Sequence, residues 1–115
     1  MHALIIEDEL MTAAAIEFVL RECGFDSFDV ASSGLAAVAS ARRRCPDLIT
    51  ADVSLAAGDG IEAIRLICRQ PSIPVIFITG HAACDVRRQV PDYPVLTKPF
   101  SEQTLTYTVA ASLAR

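Results

Sequence analysis

Residues 48–52 read Leu48-Ile49-Thr50-Ala51-Asp52, an apolar run that ends on an acidic residue. Pro46 and Asp47 precede this run, and a glycine-rich stretch, residues 53–60, follows it. A short apolar run between such boundaries is typical of a buried β-strand. A carboxylate at the last position of that strand would lie at the edge of the sheet, where open α/β sheets bind their ligands. Asp52 is therefore the first candidate functional residue.

The length of the chain predicts one domain over residues 1–115. The 115 residues are 52% hydrophobic but only 6% aromatic, with no tryptophan, so the core must consist of isoleucine, valine, leucine and alanine. A net charge of -4 argues against direct binding to nucleic acid. The apolar run at residues 2–6 is too short for a signal peptide or a membrane span. We therefore expect a cytoplasmic protein without a membrane segment.

Four cysteines are spread along the chain, at Cys23, Cys45, Cys68 and Cys84. None forms a Cys-x-x-Cys pair, and none lies at metal-ligand spacing from a histidine. Disulfides or a redox switch are one interpretation of these residues. The favoured interpretation is that they are reduced, mostly buried and packed like small hydrophobic side chains.

Strand and helix patterns alternate five times along the sequence. The strand candidates are residues 2–6, 25–31, 47–52, 75–78 and 95–97, and the helix candidates are about 10–23, 34–45, 61–70, 83–89 and 102–114. Continuous apolar strands separated by helices predict a parallel sheet that is covered on both faces. Right-handed crossovers then give an α/β fold, a doubly wound, flavodoxin-like sheet of five strands in the order 2-1-3-4-5.

Two patterns predict which side chains of the first elements are buried. In the first helix a set of residues recurs at helical spacing and should form the buried face. This set is Thr12, Ala15, Ile16, Val19, Leu20 and Cys23. In the second strand Phe28 and Val30 alternate with Ser27 and Asp29, which predicts an edge strand with one face in water.

Polar residues follow the four strands that the order 2-1-3-4-5 makes contiguous. The first strand ends on Glu7-Asp8, the third on Asp52, the fourth on Thr79 and the fifth on Lys98. Three carboxylates this close repel unless a cation joins them, and Mg²⁺ prefers such oxygen ligands. Asp52 is then the carboxylate that can accept a phosphoryl group as an acyl phosphate. Thr79 would supply a hydroxyl donor to that group, and Lys98 a positive charge.

Over its whole length the chain resembles a response-regulator receiver domain of two-component signalling. The matching residues are Glu7-Asp8, Asp52, Asp59-Gly60, Thr79 and Lys98-Pro99-Phe100. The resemblance implies phosphorylation of Asp52 by a sensor histidine kinase or a histidine phosphotransfer protein. It implies Mg²⁺ on Asp8, Asp52 and the backbone carbonyl of Ser54, with Glu7 in the outer coordination sphere. It also implies a cis peptide bond between Lys98 and Pro99.

Two positions depart from the usual receiver pattern. Many receivers have an aromatic residue three positions before the lysine, where this chain has Val95, and Ala or Ser after the threonine, where it has Gly80. We therefore expect activation to move the backbone of residues 80–92 rather than to flip a ring. Residues 77–81, Phe-Ile-Thr-Gly-His, together with residues 94–100, Pro-Val-Leu-Thr-Lys-Pro-Phe, resemble an atypical receiver subgroup of α-proteobacteria that is recognised by a Phe-Ala-Thr-Gly-type motif. That subgroup works with an unusual class of histidine kinases.

The last part of the chain offers candidate contacts with other proteins. His81 lies two residues after Thr79 and either reaches the site, where it would affect dephosphorylation, or is an exposed loop residue. Tyr107 lies off the buried face of the last helix and is either part of a partner surface or a partly exposed aromatic side chain. Phe100 should pack under that helix. A downstream protein target would bind the face formed by residues 80–115.

We interpret the chain as a phosphorylation-controlled switch or phosphate relay, with no enzymatic activity beyond its own phosphoryl transfer and autodephosphorylation. The alternative from another class is a phosphatase with a nucleophilic aspartate on a similar sheet. Such enzymes usually carry a second acid two residues after the nucleophile, where this chain has Ser54. A nucleotide-binding protein is a third possibility, but the sequence has neither a Gly-x-x-x-x-Gly-Lys-Ser/Thr nor a Gly-x-Gly-x-x-Gly motif.

Overall fold

The structure is a computed structural model that describes residues 1–55, 58–67, 73–80 and 83–114. Five strands alternate with five helices among these residues, as the sequence predicts. They are β1 (His2–Ile6), α1 (Leu10–Glu22), β2 (Ser27–Ala31), α2 (Gly34–Arg43), β3 (Leu48–Ala51), α3 (Gly60–Ile67), β4 (Val75–Thr79), α4 (Ala83–Gln89), β5 (Val95–Thr97) and α5 (Glu102–Leu113). None of these helices is long and apolar enough to cross a membrane.

The strands are all parallel and lie in the predicted order β2-β1-β3-β4-β5. Successive residues of a strand face opposite sides of the sheet. Leu4 and Ile6 of β1 therefore contribute to the core under α2, α3 and α4, whereas Ala3 and Ile5 contribute to the core under α1 and α5. The strands β1, β3 and β4 are buried on both faces, so polar side chains reach solvent where these strands end.

The buried face of α1 is rotated from the predicted one. Ala15, predicted to be buried, is exposed, and Ala13 is buried in its place. The buried side chains of the helix are Ala13, Ile16, Val19 and Leu20. The prediction was wrong because both positions carry alanine, so the pattern does not tell which of the two faces the sheet. Thr12 and Cys23, the ends of the predicted face, are half-buried.

The strand β2 lies at an edge of the sheet, as predicted, but its two faces are not exposed in the expected way. Val30 is 47% exposed, whereas Ser27 and Asp29 are half-buried. The reason is the buried His2, whose Nδ1 lies 2.8 Å from Ser27 Oγ and whose Nε2 lies 3.0 Å from Asp29 Oδ2. These contacts hold the polar residues of β2 against β1.

Three of the cysteines are described, and all three are free thiols. Cys23 is half-buried, but Cys45 and Cys84 are exposed. The expectation of buried cysteines is therefore wrong for these two, because Cys45 follows the end of α2 and Cys84 lies on the solvent side of α4. Cys68 lies outside the described residues, as does the expected end of the third helix at residues 68–70.

Candidate functional site

Three of the candidate residues stand one position after a strand, where the last hydrogen bonds of the sheet fix their backbone. The N–H groups of Glu7, Asp52 and Lys98 donate to carbonyls of the neighbouring strands β2, β1 and β4, each at 2.9 Å. Thr79 is the last residue of β4 itself. The ends of β1, β3, β4 and β5 thus meet at one edge of the sheet, as the sequence predicts.

The Lys98 ammonium joins two buried carboxylates. Its Nζ lies 2.9 Å from Asp52 Oδ2 and 2.8 Å from Glu7 Oε1. The contact with Asp52 is a hydrogen bond, whereas the contact with Glu7 is an ion pair without hydrogen-bond alignment, and Glu7 Oε1 has no aligned donor among the described residues. Only 6% of Asp52 and 2% of Glu7 are exposed. Carboxylates this deeply buried need such a cation.

Backbone donors hold the other oxygen of each carboxylate. The Ser54 N–H donates to Asp52 Oδ1 at 3.2 Å, and the Glu9 N–H donates to Glu7 Oε2 at 3.1 Å. Glu9 is not among the predicted site residues, although it directly follows the acidic pair in the sequence. Its own carboxylate accepts a hydrogen bond from the Thr12 hydroxyl at 2.6 Å and so belongs to the start of α1.

Burial and pairing act in opposite directions on the pKa values of this site. Burial raises the pKa of Glu7 above its ordinary value of 4.5, although the contact with Lys98 opposes the rise. Burial alone would lower the pKa of Lys98, but its close contacts with the Glu7 and Asp52 carboxylates outweigh burial and raise that pKa above 10.5. Lys98 is therefore charged at neutral pH, and the charge of Glu7 is destabilised by the protein.

Asp8 completes an acidic cluster at this edge of the sheet. One carboxylate oxygen from each of Glu7, Asp8 and Asp52 lies within 4.8 Å of the other two. Asp8 is exposed and the other two are buried, so the cluster opens to solvent on the side of Asp8. Carboxylates outnumber the ammonium group by two within this set, and hard oxygen ligands at this spacing fit Mg²⁺. The predicted convergence is confirmed; the roles as metal ligands stay a prediction.

A cavity of about 430 Å³ opens beside Asp52. Its wall is formed by Glu7, Asp8, Glu9, Asp52, Ser54, Gly80 and Lys98. Thr79 is only 1% exposed, and on its side of the cavity the wall is formed by Gly80. The Thr79 side chain is therefore in the buried part of the site, and its role as a hydroxyl donor stays a prediction.

The loop after β3 folds back onto Asp52 and needs a glycine to do so. Gly60, the first residue of α3, lies so close to Asp52 that a Cβ atom there would overlap the Asp52 carbonyl. Asp59 caps the helix, because its Oδ1 accepts a hydrogen bond from the Ile61 N–H at 2.7 Å. Ser54 and Asp59 also pair across the loop as an isolated antiparallel bridge. Asp59 and Gly60 thus hold Ser54 against Asp52.

The surroundings of Val95, where many receivers have an aromatic residue, contain two contacts that the sequence analysis missed. Val95 is buried, and its carbonyl accepts a hydrogen bond from Arg87 Nη2 of α4 at 3.2 Å. Two residues before Val95, the Tyr93 ring packs edge-on to Phe77, with 5.9 Å between ring centroids. Neither contact can be predicted from the spacing of the residues. For Arg87 the reason is that a flexible arginine on an exposed helix has many possible partners.

The remaining predictions near the site have mixed outcomes. The Lys98–Pro99 peptide bond is cis, as the resemblance implies. Phe100 is half-buried and packs against the core under α1 and α5. Tyr107 is 76% exposed, and its contact with a partner stays a prediction. His81 lies outside the described residues, so both interpretations of it also stay predictions.

A family model of the response regulator receiver domain matches residues 3–110. The chain belongs to this family. Among solved structures, the receiver domain of PhyR from Erythrobacter litoralis is similar to it, with 33% identity and a TM-score of 0.85 over 98% of this chain and 89% of that one. PhyR from Brucella abortus is 30% identical, with a TM-score of 0.85 over 98% of this chain and 47% of that one. Both proteins come from α-proteobacteria, in agreement with the subgroup that residues 77–81 indicate.

Curated proteins that are similar to this receiver domain are longer than it. The transcriptional regulatory protein PdtaR of Mycobacterium tuberculosis is 30% identical over 117 residues, which cover 99% of this chain and 57% of PdtaR. A protein-glutamate methylesterase/protein-glutamine glutaminase of Archaeoglobus fulgidus is 30% identical over 80 residues, which cover 70% of this chain and 23% of that protein. The receiver domain thus spans less than two thirds of either relative.

Proposed function

We propose that this receiver domain accepts a phosphoryl group on Asp52 from the phosphohistidine of a sensor histidine kinase or a histidine phosphotransfer protein. Its family supports a phosphoacceptor role in two-component signalling. One observation carries the proposal: the Asp52 carboxylate lies 2.9 Å from Lys98 Nζ at the wall of an open cavity. A carboxylate there can meet an incoming phosphoryl group, and a cation stands beside the charge that the transfer brings.

In the proposed transfer an oxygen of Asp52 attacks the phosphorus atom. The P–N bond to histidine breaks, its electron pair stays on the histidine nitrogen, and the new P–O bond makes an acyl phosphate. Lys98 offsets the charge of the phosphoryl oxygens, and the Thr79 hydroxyl is the proposed donor to one of them. Attack of water on the same phosphorus atom would later release phosphate and restore the carboxylate.

We infer that Mg²⁺ binds to Asp8, Asp52 and the backbone carbonyl of Ser54, with Glu7 in the outer sphere. The spacing of the three carboxylates, within 4.8 Å of one another, supports this set. So does Glu7 Oε1, a buried oxygen without an aligned donor among the described residues. When bound, Mg²⁺ would offset the negative charge that collects at the phosphoryl group.

The proposed output is a change in the face formed by residues 80–115, which a downstream protein recognises. Backbone movement of residues 80–92 would produce it, because Val95 cannot act as an aromatic switch. Of this face the structure describes residue 80 and residues 83–114. PhyR of Bartonella quintana, 32% identical over 98% of this chain, is described as an anti-anti-sigma factor. A protein target, rather than nucleic acid, is the output that we propose for this chain.

The alternative of an aspartate-nucleophile phosphatase lacks comparable support. Its second acid would stand two residues after Asp52, at Ser54. The backbone N–H of Ser54 instead donates to Asp52 Oδ1 at 3.2 Å, which orients the carboxylate but supplies no general acid.

The test is the intact mass of the protein after incubation with acetyl phosphate and Mg²⁺. We expect the wild type to gain one phosphoryl group, and to gain none when EDTA replaces Mg²⁺. Asp52→Asn should gain none in either condition. Asp59→Asn is the matched control and should be labelled like the wild type, since asparagine also caps a helix. An adduct on Asp52→Asn, or none on the wild type, would contradict the proposal.

A further inference from the structure

The strand β5 leads to Lys98 and has one open edge. Its backbone hydrogen bonds to β4 include one that the Pro94 carbonyl accepts and one that the Lys98 N–H donates. In a parallel pair, alternate residues direct their backbone groups to the same side, so Val95 directs its carbonyl to the outer edge. No strand among the described residues pairs with that edge. The Val95 carbonyl accepts its hydrogen bond from Arg87 Nη2 instead, at 3.2 Å.

The helix α4 has few other attachments to the sheet. Val86 is buried, while the residues from Cys84 to Gln89 around it are exposed. A helix of seven residues with one buried residue among residues 84–89 depends on the contacts at its ends. Its C-terminal end is fixed by the buried Val90, whose carbonyl accepts a hydrogen bond from the Tyr93 N–H at 3.1 Å. Towards β5 it is fixed by Arg87.

We propose that the hydrogen bond between Arg87 and the Val95 carbonyl is a clasp that couples Asp52 to α4. This inference rests on the proposed function. Lys98 contacts Asp52 and follows β5, on which Val95 lies three residues earlier. A phosphoryl group on Asp52 changes the charge and the size of the group that Lys98 meets. The resulting shift of β5 moves the Val95 carbonyl away from Arg87 and releases α4, in place of an inward swing of an aromatic ring.

The position of Tyr93 shows which part of the chain stays in place when α4 moves. Its ring packs edge-on to Phe77 of β4, with an angle of 74° between the ring planes. It also lines a groove of about 280 Å³ between α3 and the segment that follows α4, together with Ile61, Ile64 and Val90. This segment, residues 90–93, therefore stays attached to β4, and the movement is that of α4 itself.

Coupling of this kind is reciprocal, so opening the clasp must favour modification of Asp52 as much as modification opens the clasp. The test titrates the protein with beryllofluoride, a phosphoryl mimic, in the presence of Mg²⁺ and follows the backbone amides by NMR. In Arg87→Gln the half-saturating concentration of the mimic should fall about fivefold. The α4 amides of the unmodified variant should already lie near their positions in the loaded wild type.

The matched control is Arg88→Gln. Arg88 is the next residue of the same exposed helix and pairs with Asp85 of α4 at 3.1 Å, so its loss should leave the titration unchanged. Arg87→Lys, which keeps a charged donor, should restore part of the wild-type response. Because Arg87 is exposed, amide dispersion should show an intact fold in all three variants.

The two possible failures are distinguishable. If the wild type binds the mimic but Arg87→Gln has the same affinity and the same α4 response, the clasp is overturned and the proposed function stands. If the amides of Asp52 and Ser54 in the wild type do not respond to the mimic at all, the proposed function fails and the clasp fails with it.

Discussion

Glu7 illustrates the cost of placing a carboxylate at the end of a buried strand. It is more deeply buried than Asp52 and shares the single ammonium group of Lys98 with it. Burial outweighs this ion pair, so the pKa of Glu7 lies above 4.5 in the folded protein. In the metal-free protein, Lys98 alone therefore does not compensate the buried negative charge. The effect of Glu7 on the free energy of unfolding measures this deficit.

Glu7→Gln should stabilise the metal-free protein at neutral pH. The folded state binds the Glu7 proton more tightly than the unfolded state does, because its pKa is raised. The stabilisation from that proton is complete below pH 4.5 and is lost as the pH rises through the raised pKa. The free energy of unfolding of Glu7→Gln should therefore exceed that of the wild type by an amount that grows from about pH 4 to about pH 7. Urea titrations in EDTA measure it.

Glu17→Gln provides the comparison for this experiment. Glu17 is a half-buried carboxylate that pairs with Arg21 at 2.8 Å, so the substitution makes the same chemical change at a position that is much less buried than Glu7. Its effect should stay within about 0.5 kcal/mol at each pH. Parallel stability curves for the wild type and Glu7→Gln between acid and neutral pH would contradict the explanation given for Glu7.

The loop from β3 to α3 is the element that shapes the backbone around Asp52. Gly60→Ala should lower the free energy of unfolding by about 2 kcal/mol or more, because the added Cβ would overlap the Asp52 carbonyl. Gly80→Ala, at the wall of the cavity beside Asp52, is the matched substitution. Its Cβ would meet the Lys98 side chain at an ordinary 4.0 Å, so the change should stay within about 0.5 kcal/mol. Equal losses in urea unfolding would refute this account of the loop.

The strands of this domain could be predicted because β1, β3 and β4 are continuous apolar runs with a polar residue at one end. The rotation of α1 could not, because Ala13 and Ala15 have identical side chains and only the packed helix distinguishes them. The contact of Arg87 with Val95 could not be predicted either. It depends on the path of α4 along the open edge of β5, and a sequence pattern contains no information on that path.

For the molecule as a whole, the parallel topology explains why the residues of the candidate site could be predicted from the sequence. A parallel sheet brings the carboxyl ends of its strands to one edge, so residue types at four strand ends suffice to assemble Asp52, Thr79, Lys98 and the acidic pair. The topology does not determine how deeply each is buried. Only the structure places Glu7 and Thr79 inside, and Asp8 and Gly80 at the opening.

The same architecture separates a hydrogen-bonded sheet from a lightly attached helix. The sheet holds Asp52 and Lys98 through backbone hydrogen bonds of 2.9 Å, whereas Val86 is the one buried residue among residues 84–89 of α4. A small shift of β5 at this edge of the sheet can therefore be passed to the helix. A signal can take this route only if Asp52 is the residue that receives the phosphoryl group.

The most direct measurement of that claim is reductive trapping of the phosphorylated protein. Sodium borohydride reduces an aspartyl phosphate to homoserine, which marks the position of the acyl phosphate in peptide mass spectra. After labelling with acetyl phosphate and Mg²⁺, we predict homoserine at position 52 and unmodified aspartate at positions 8 and 59. Homoserine at Asp8 or Asp59, or an unmodified Asp52 in protein that carries the phosphoryl mass, would contradict the account.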